Sequence, residues 1–505
     1  MSGKETPFFY LQRCCWYCLF LLLLMACEKQ SKQEKQHHTE VLPASEGEMP
    51  ITASSQAALE IFENGRSLFE LVQLVEARYF FKEAIETDSS FALAYLYTAW
   101  CSPSKEEALF YVNKAMNLRE KVTESEGMMI EASYWGYHGE YKKSIECWEK
   151  LSERIPKDKR ILNSLAYAYF QTKDYKRSIE TLHKSIAIDS VYTLNYNALG
   201  YSYQYQGHIA SAEKAFRKYA ALLPNTAKPF DTLGDFYRKT GQLDKAIKAY
   251  EQAIVLNDKF DHAQHKIAQC MLFQGRYTEA RVVLNSALSM TREPYNIVWH
   301  LKAIGDSYLY ENKYDKALKG LSDAKAKAEE LGLKGTSADI LLDMALICIF
   351  RGEMLQAKEY IEVVDEHIEG HQVDAAMELD LKMKQFQCRI LATAIQKEYE
   401  ETDRLLKQYT YEVSLYSNDE WSNRLKQLEA YVRMRKTMYQ EAKTSLGTAD
   451  QQDVLTIYLY ARIAEEEGDI PLANRYYQQV IDWNDADTTW YALIRSYAVI
   501  KLGES

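Results

Sequence analysis

The feature that most constrains this chain is a repeat length. Tyr196–Pro224 aligns with Phe230–Asp258 so that equivalent residues lie 34 positions apart. Leu199 matches Leu233, Gly200 matches Gly234, Tyr203 matches Tyr237, Gly207 matches Gly241, Ala212 matches Ala246, and Phe216 matches Tyr250. Steps of 34 reach Gly275 and Ala280 in one direction, Ser178 and Ser144 in the other. Gly139-x-Tyr141, Lys173-x-Tyr175 and Gly275-x-Tyr277 keep the same register, so Gly127 to about Arg292 holds five consecutive units. A fixed period of this length means one supersecondary unit stacked on its copies, since a single unit cannot bury its own apolar face. Two series of small residues recur: Ala132, Ala166, Gly200, Gly234 and Ala268, then Ser144, Ser178, Ala212, Ala246 and Ala280. Small side chains at both places let two helices cross closely, and large aromatics fill the space between neighbouring pairs.

The pattern W-x2-L-G-x2-Y, A-x3-F, P over 34 residues is that of the tetratricopeptide repeat. This chain resembles it, with Tyr196 in the tryptophan place, then Leu199-Gly200, Tyr203, Ala212, Phe216 and Pro224 in register. The resemblance implies an all-α fold, a right-handed α-solenoid (superhelix) of about eleven helix-turn-helix repeats. Looser units are marked by Gly305, Tyr308, Tyr314 and Ala317, then by Ala345, Gly352 and Ala357, with the extra residues near Met290–Ile297 and Leu331–Asp339 expected as longer loops. Weaker units follow around Tyr399 and around Tyr439 and Ala442, and a clearer one has Gly468, Ala473 and Tyr477. Ala77, Phe81 and Ala84, then Ala108, Val112 and Ala115, suggest two divergent units ahead of the regular block. The expected division is 57–122 divergent repeats, 123–292 five regular repeats, 293–372 two repeats with longer loops, and 373–505 divergent repeats.

Composition agrees. Glycine is 20 and proline 9 of 505 residues, against average usage of about 7% and 5%. So few turn-formers exclude a sandwich, a barrel or a collagen. The net charge of −11, with no Lys/Arg block, excludes the basic face a nucleic-acid binder needs. Tyrosine is abundant at 38. Tyr203, Tyr237 and Tyr308 sit at the repeat's packing positions and are expected in the core.

The N-terminus carries a separate signal. Cys14–Met25 is a 12-residue apolar run, too short for a spanning helix of about 20 residues and suited to a secretory leader. Leu24-Met25-Ala26-Cys27 follows directly and resembles the lipobox of bacterial lipoproteins. That resemblance implies cleavage after residue 26, lipidation of Cys27, and an extracytoplasmic, lipid-anchored protein, the outer membrane favoured over the inner. The polar stretch to about residue 56 reads as a flexible tether. The remaining cysteines, Cys101, Cys147, Cys270, Cys348 and Cys388, are widely and unequally spaced. They read as buried thiols, with one disulfide left open.

No phosphate loop, nucleophile elbow or H-E-x-x-H is present, so no catalysis, cofactor or metal is expected. His367-Ile-Glu-Gly-His371 looks superficially metal-like, but Gly370 is expected to end the helix and separate the two imidazoles. His262 and His265 are i, i+3 neighbours and read as groove residues. Tyr167 and Tyr201 fall one turn past Asn163 and Asn197 on first helices, and the equivalent places onward are Asp231/Asp235 and His265/Gln269. In tetratricopeptide arrays first helices line the concave groove. The resemblance therefore implies a site of Asn163, Tyr167, Asn197, Tyr201, Asp231, Asp235, His265 and Gln269 for an extended peptide or partner helix; the plain alternative is exposed polar residues. Repeats that capture a C-terminal carboxylate carry a Lys/Asn, Asn, Lys/Arg clamp. Here Asp231 and Asp235 bring negative charge where it would dock, which argues against that specificity.

The leading expectation is a membrane-anchored scaffold for protein or peptide partners. One alternative is a glycan- or small-ligand-binding lipoprotein, disfavoured by the scarcity of Gly and Pro. Another is a detached sensory repeat module of a bacterial signalling system.

Overall fold

Each regular unit contains two stretches with one apolar face at helical spacing, separated by a residue that stops the first. The computed structural model describes residues 40–42, 47–257, 261–369, 373–416, 418–485 and 488–503. Among these, helices pair in sequence order into twelve antiparallel hairpins, with one more helix at the end, against the eleven or so repeats expected. The first helix of eleven of the twelve ends at a left-handed residue. Glycine fills this place at 139, 207, 241, 275, 352 and 468, and Val72, Lys173, Asn312, Lys397 and Thr437 fill it elsewhere. A left-handed C-terminal residue is the ordinary way to satisfy a helix's last carbonyls and turn the chain back. The occupants other than glycine explain why some units were hard to see.

Contacts divide the chain into two compact units, Met1–Leu222 and Leu223–Ser505. The first holds α1 (Gln56–Glu70), α2 (Leu74–Thr87), α3 (Ala92–Trp100), α4 (Lys105–Asn117), α5 (Glu124–Tyr137), α6 (Tyr141–Arg154), α7 (Lys159–Gln171), α8 (Tyr175–Ile188), α9 (Thr193–Tyr205) and α10 (Ile209–Leu222). Odd-numbered helices are the first of each pair. The helices cross where the small residues stand. A Cβ added to Gly200 would lie 2.4 Å from the Phe216 ring, and one on Gly65 would lie 2.8 Å from the Phe81 ring. Both pairs are sixteen residues apart. The core of this unit is apolar and aromatic, with Phe62, Phe81, Phe91 and Phe216 fully buried.

The stretch expected to be tether up to residue 56 is partly folded instead. Strand β1 (Glu40–Leu42) pairs antiparallel with β2 (Ile51–Ala53), Val41 opposite Thr52. Residues 49–54 are held by three buried carboxylates at the joints of successive hairpins. Ser54 N donates to Asp88 (2.8 Å), Thr52 N and Oγ1 donate to Glu126 (2.7 and 2.5 Å), and Met49 N donates to Asp158 (2.9 Å). Met49, Ile51 and Ala53 are buried against the hairpins. This strap runs opposite to the order of the hairpins, from the third back to the first. Cys27 lies outside the described residues.

The second unit holds α11 (Ala227–Lys239), α12 (Leu243–Leu256), α13 (Asp261–Phe273), α14 (Tyr277–Met290), α15 (Pro294–Ser307), α16 (Tyr314–Glu330), α17 (Lys334–Arg351), α18 (Met354–Glu369), α19 (Ala375–Ile395), α20 (Tyr399–Ser414), α21 (Asp419–Arg435), α22 (Tyr439–Gly447), α23 (Val454–Glu466), α24 (Ile470–Asp482) and α25 (Thr489–Leu502). The longer loops expected at 293–372 are corrected here. The joints at 291–293 and 331–333 have three residues each; the first extra residues form a 3-10 turn, Leu309–Glu311, after α15, and the later ones lengthen α16 and α17 to 17 and 18 residues. Tyr237 is buried as expected, whereas Tyr203 and Tyr308 are half-buried. Phe81, Phe216, Tyr250, Tyr409 and Tyr477, all fully buried, sit on second helices.

Helix α25 packs back on helices far behind it in sequence. Arg495 donates to the Phe273 carbonyl (3.1 Å), Ser496 to the Leu309 carbonyl (2.6 Å), and Thr489 to Asp306 (3.0 Å). Beside it lies a buried charge network. Lys302 Nζ contacts Asp306 (2.8 Å) and Asp343 (3.0 Å), and Lys384 Nζ contacts Asp339 (2.6 Å) and Asp343 (2.8 Å). Burial of a charge is tolerated only when it is paired in this way.

The five later cysteines are free. Cys101, Cys270, Cys348 and Cys388 are buried and Cys147 is half-buried. Burial pushes the thiols of Cys101, Cys270 and Cys388 up to about 12, so these are inert packing groups.

Candidate partner-binding site

Residues four apart on a helix share a face. Asn163 and Tyr167 on α7, and Asn197 and Tyr201 on α9, therefore project together from neighbouring first helices. All four line one cleft of about 830 Å³ in the first unit. The helices that carry them are tied by a chain of buried polar contacts. Asn163 Nδ2 donates to Asn195 Oδ1 (3.1 Å), Asn195 Nδ2 to Ser185 Oγ (2.8 Å), and Ser185 Oγ to the Lys159 carbonyl (2.9 Å). Tyr167 stands in the cleft with 59% of its surface exposed. Tyr201 rests edge-on against Phe216, ring centroids 5.1 Å apart.

The cleft continues onto the preceding hairpins, which sequence patterning did not single out. Helix α5 adds Ser133 and Tyr137, and the Tyr137 hydroxyl donates to the Ala99 carbonyl (3.1 Å). Phe69, Tyr97 and Trp100 form an aromatic cluster at its edge, with Tyr97 and Trp100 centroids 4.6 Å apart. A Trp and a Tyr in a divergent first helix were the available signal, but the 34-residue register is lost there.

Electrostatically the cleft is closed. Arg160 reaches into it, yet Nε bonds Glu70 (2.7 Å) and Nη1 bonds Glu48 of the strap (2.9 Å). Burial works against that charge, and the two carboxylates more than offset it, holding the guanidinium above its ordinary range. Burial pushes the Tyr97 phenol up to about 12, so it stays neutral. Lys105 is exposed at the rim. The arrangement offers stacking surface and neutral hydrogen-bonding groups.

The other four groove residues lie in the second unit. Asp231 is 1% exposed, bonded by Lys228 (2.9 Å) and Lys266 (2.6 Å). Burial alone would raise its carboxyl, and the two ammonium groups win and hold it below the usual aspartate range. Asp235 accepts from Tyr250 Oη (2.8 Å) and pairs with Lys266 (2.9 Å). The exposed-polar alternative does not describe Asp231 either. His265 is buried and stacks on Trp299, centroids 3.8 Å apart, and His262 lies 5.0 Å from the same ring. Burial drives the His265 imidazole well below its ordinary range, so it packs as a neutral aromatic. Gln269 is buried beside it on a small cavity of about 150 Å³ that Arg238 and Asp485 also line. Arg238 donates to the Asn484 carbonyl (2.7 Å), so the segment before α25 occupies this face. His367 Nδ1 lies 2.8 Å from the Val363 carbonyl; Gly370 and His371 lie outside the described residues. Among the described residues no group of three or more His, Cys, Asp or Glu is placed to hold a metal ion.

Comparison with known proteins adds the following. Residues 159–192 and 237–304 match tetratricopeptide repeat family models. A TPR repeat-containing protein of Methanocaldococcus jannaschii is 26% identical over 219 residues, covering 42% of this chain and 38% of that protein. Anaphase-promoting complex subunit 3 of Schizosaccharomyces pombe is 21% identical over 172 residues, 34% of this chain and 26% of that one. The chain thus spans well under half the length of these curated relatives. Among solved structures, YrrB, described as a TPR protein with an unusual peptide-binding site, is 20% identical and covers 36% of this chain and 93% of its own, with a TM-score of 0.29. The matched segments coincide with α7–α8 and with the stretch from the end of α11 into α15, so the tetratricopeptide repeat models fall on hairpins of the 34-residue register.

Proposed function

We propose that this protein is a membrane-anchored, extracytoplasmic interaction scaffold without catalysis of its own, which holds an extended segment of a partner protein in the cleft of its first unit. The observation that carries this reading is the cleft, where Asn163, Tyr167, Asn197 and Tyr201 converge with further aromatics on a surface free of uncompensated buried charge. Large, rigid Tyr and Trp side chains with neutral hydrogen-bonding neighbours are what interface anchors use. The anchoring half rests on the leader and on Leu24-Met25-Ala26-Cys27. Among the described residues no helix is long and apolar enough to cross a membrane.

Two measurements test the two halves separately. Crosslinking in cells should capture reproducible protein partners that are lost when Asn163, Tyr167, Asn197 and Tyr201 are replaced together. Binding on a glycan array, with no partner sensitive to those substitutions, would instead establish the ligand-binding alternative. Cys27→Ala should abolish fatty-acid labelling, and continued labelling would end the lipoprotein reading.

A further inference from the structure

The second unit carries a groove that the chain fills with its own backbone. Asp231 and Asp235 set negative charge on the first helix α11, and the structure neutralises both. Lys228 and Lys266 pair with Asp231 (2.9 and 2.6 Å), and Lys266 also pairs with Asp235 (2.9 Å). Two further cations at the end of α11, Arg238 and Lys239, hold another acid. That acid is Asp485, 3.2 Å from Arg238 Nη2 and 2.8 Å from Lys239 Nζ. Arg238 Nη1 also donates to the Asn484 carbonyl (2.7 Å). One guanidinium thus takes a backbone carbonyl and the carboxylate of the next residue, with Lys239 as a second cation. Arginine clusters recognise acidic peptide segments in this way.

Three observations mark the segment as an exchangeable guest. The Lys239 and Asp485 side chains keep 30% and 33% of their surface exposed, and an ion pair so placed holds only weakly. Helix α25 has anchors of its own in Thr489, Arg495 and Ser496, so its docking does not depend on residues 483–485. Beside Asp485 a cavity of about 150 Å³ is open to solvent, lined by His262, His265, Gln269 and Trp299, with room for a further side chain of a longer guest. Arg238 sets the condition for exchange. It is 8% exposed with the segment in place, and a buried guanidinium stripped of its partners is costly. The face therefore trades one acidic occupant for another.

We infer that Asn484–Asp485 is an intramolecular stand-in, and that this groove binds an extended, acid-bearing segment of a partner protein, which displaces it from Arg238 and Lys239. A tethered competitor acts at an effective concentration in the millimolar range. It lowers the apparent affinity of every guest by the fraction of time the groove is free, so only a partner that outcompetes it engages. This groove belongs to the second unit, and its role stands or falls apart from that of the first-unit cleft.

The test is fluorescence anisotropy on the whole chain with a labelled peptide of about ten residues. Its centre carries Asp-Trp-Asn-Asp, the sequence of residues 482–485, and a twin has the last aspartate replaced by asparagine. Asp485→Asn in the protein removes the charge of the tethered competitor at an exposed residue and leaves the fold intact. The aspartate peptide should bind this variant at least tenfold more tightly than the unaltered chain, and its asparagine twin at least tenfold more weakly. Lys239→Ala added to Asp485→Asn should weaken binding severalfold. Joint replacement of Asn163, Tyr167, Asn197 and Tyr201 should leave it unchanged. Equal binding to the unaltered chain and to Asp485→Asn, or no binding to either, would overturn the inference. Equal binding of the two peptides would overturn the acidic selection, and loss of binding on the joint replacement would place the peptide in the first-unit cleft and overturn this site.

Discussion

Gly200→Ala sets two known effects against each other, and the structure says which wins. In an exposed helix interior the change gains about 0.8–1.0 kcal/mol of helix propensity. Here the added Cβ would lie 2.4, 2.6 and 2.7 Å from three carbons of the Phe216 ring. Ordinary carbon contacts are about 3.5–4.0 Å, so an overlap on the order of 1 Å must be relieved. The ring is fully buried with Tyr201 edge-on against it, and has nowhere to go. Overpacking of this kind costs about 1–3 kcal/mol, and a clash this short belongs at or above the upper end. Gly200→Ala should therefore destabilise the first unit by about 2 kcal/mol or more after the propensity gain. The protein itself indicates the rescue. At the same register Ala166 stands sixteen residues before Leu182 and Ala268 before Leu284, each pair in one buried cluster. Phe216→Leu alone should cost about 1–2 kcal/mol through the void it leaves, yet combined with Gly200→Ala it should cost less than the sum of the two. The assay is urea unfolding followed by circular dichroism, with the four proteins treated as a double-mutant cycle. If Gly200→Ala raises the unfolding midpoint, or if the two changes add strictly, the crossing is not tight and the packing argument fails.

Further outcomes follow from the same geometry. Glu126→Ala leaves the Thr52 and Thr123 amides, which it now receives at 2.7 and 3.0 Å, without an acceptor. At about 1–3 kcal/mol for each stranded group, it should destabilise the first unit by about 2–6 kcal/mol and make residues 49–54 protease-sensitive. The strap should also respond to acid. Burial alone would raise the Asp88 carboxyl, but hydrogen bonds from Ser90 and Ser54 overcome it and hold the group below the usual aspartate range. A lowered folded-state value means this contribution is complete above the unfolded value near 4 and is lost as pH falls through the lower folded one. The Ser54 and Ser90 amide resonances should report that transition below about pH 4, and Asp88→Asn should abolish it. In the second unit, Lys302→Met removes the ammonium from Asp306, which is 8% exposed, and leaves Asp343, 4% exposed, to Lys384 alone, and should cost about 3–5 kcal/mol. Urea unfolding should show Lys302→Met/Asp306→Leu recovering part of that loss.

The regular block was legible because its packing is local. The residues that decide a hairpin crossing lie sixteen apart, and those that stack hairpins lie 34 apart, so the same constraint is written again in every unit. Gly65 and Phe81 obey the rule too, although that hairpin has Val72 rather than glycine at its turn and so lacked the usual marker. Half of the candidate site was visible for the same reason. Asn163, Tyr167, Asn197 and Tyr201 occupy register positions whose direction the repeat dictates.

Sequence alone therefore determined the helical hairpin, its period, the small residues at its crossings and the face its first helices share. Only the tertiary structure decided which parts of that face stay open. Asp231, Asp235, His265 and Gln269 stand in the same register as the open four, but Lys266, Trp299 and the segment before α25 engage or cover them. The strap shows the same division. Met49 meets Asp158 across 109 positions, Thr52 meets Glu126 across 74, and Arg495 meets Phe273 across 222. The physical reason is that periodic apolar packing repeats its demand in every unit, and so leaves a pattern that can be read. A buried carboxylate receiving one distant amide makes its demand once, and only the folded chain brings the two together.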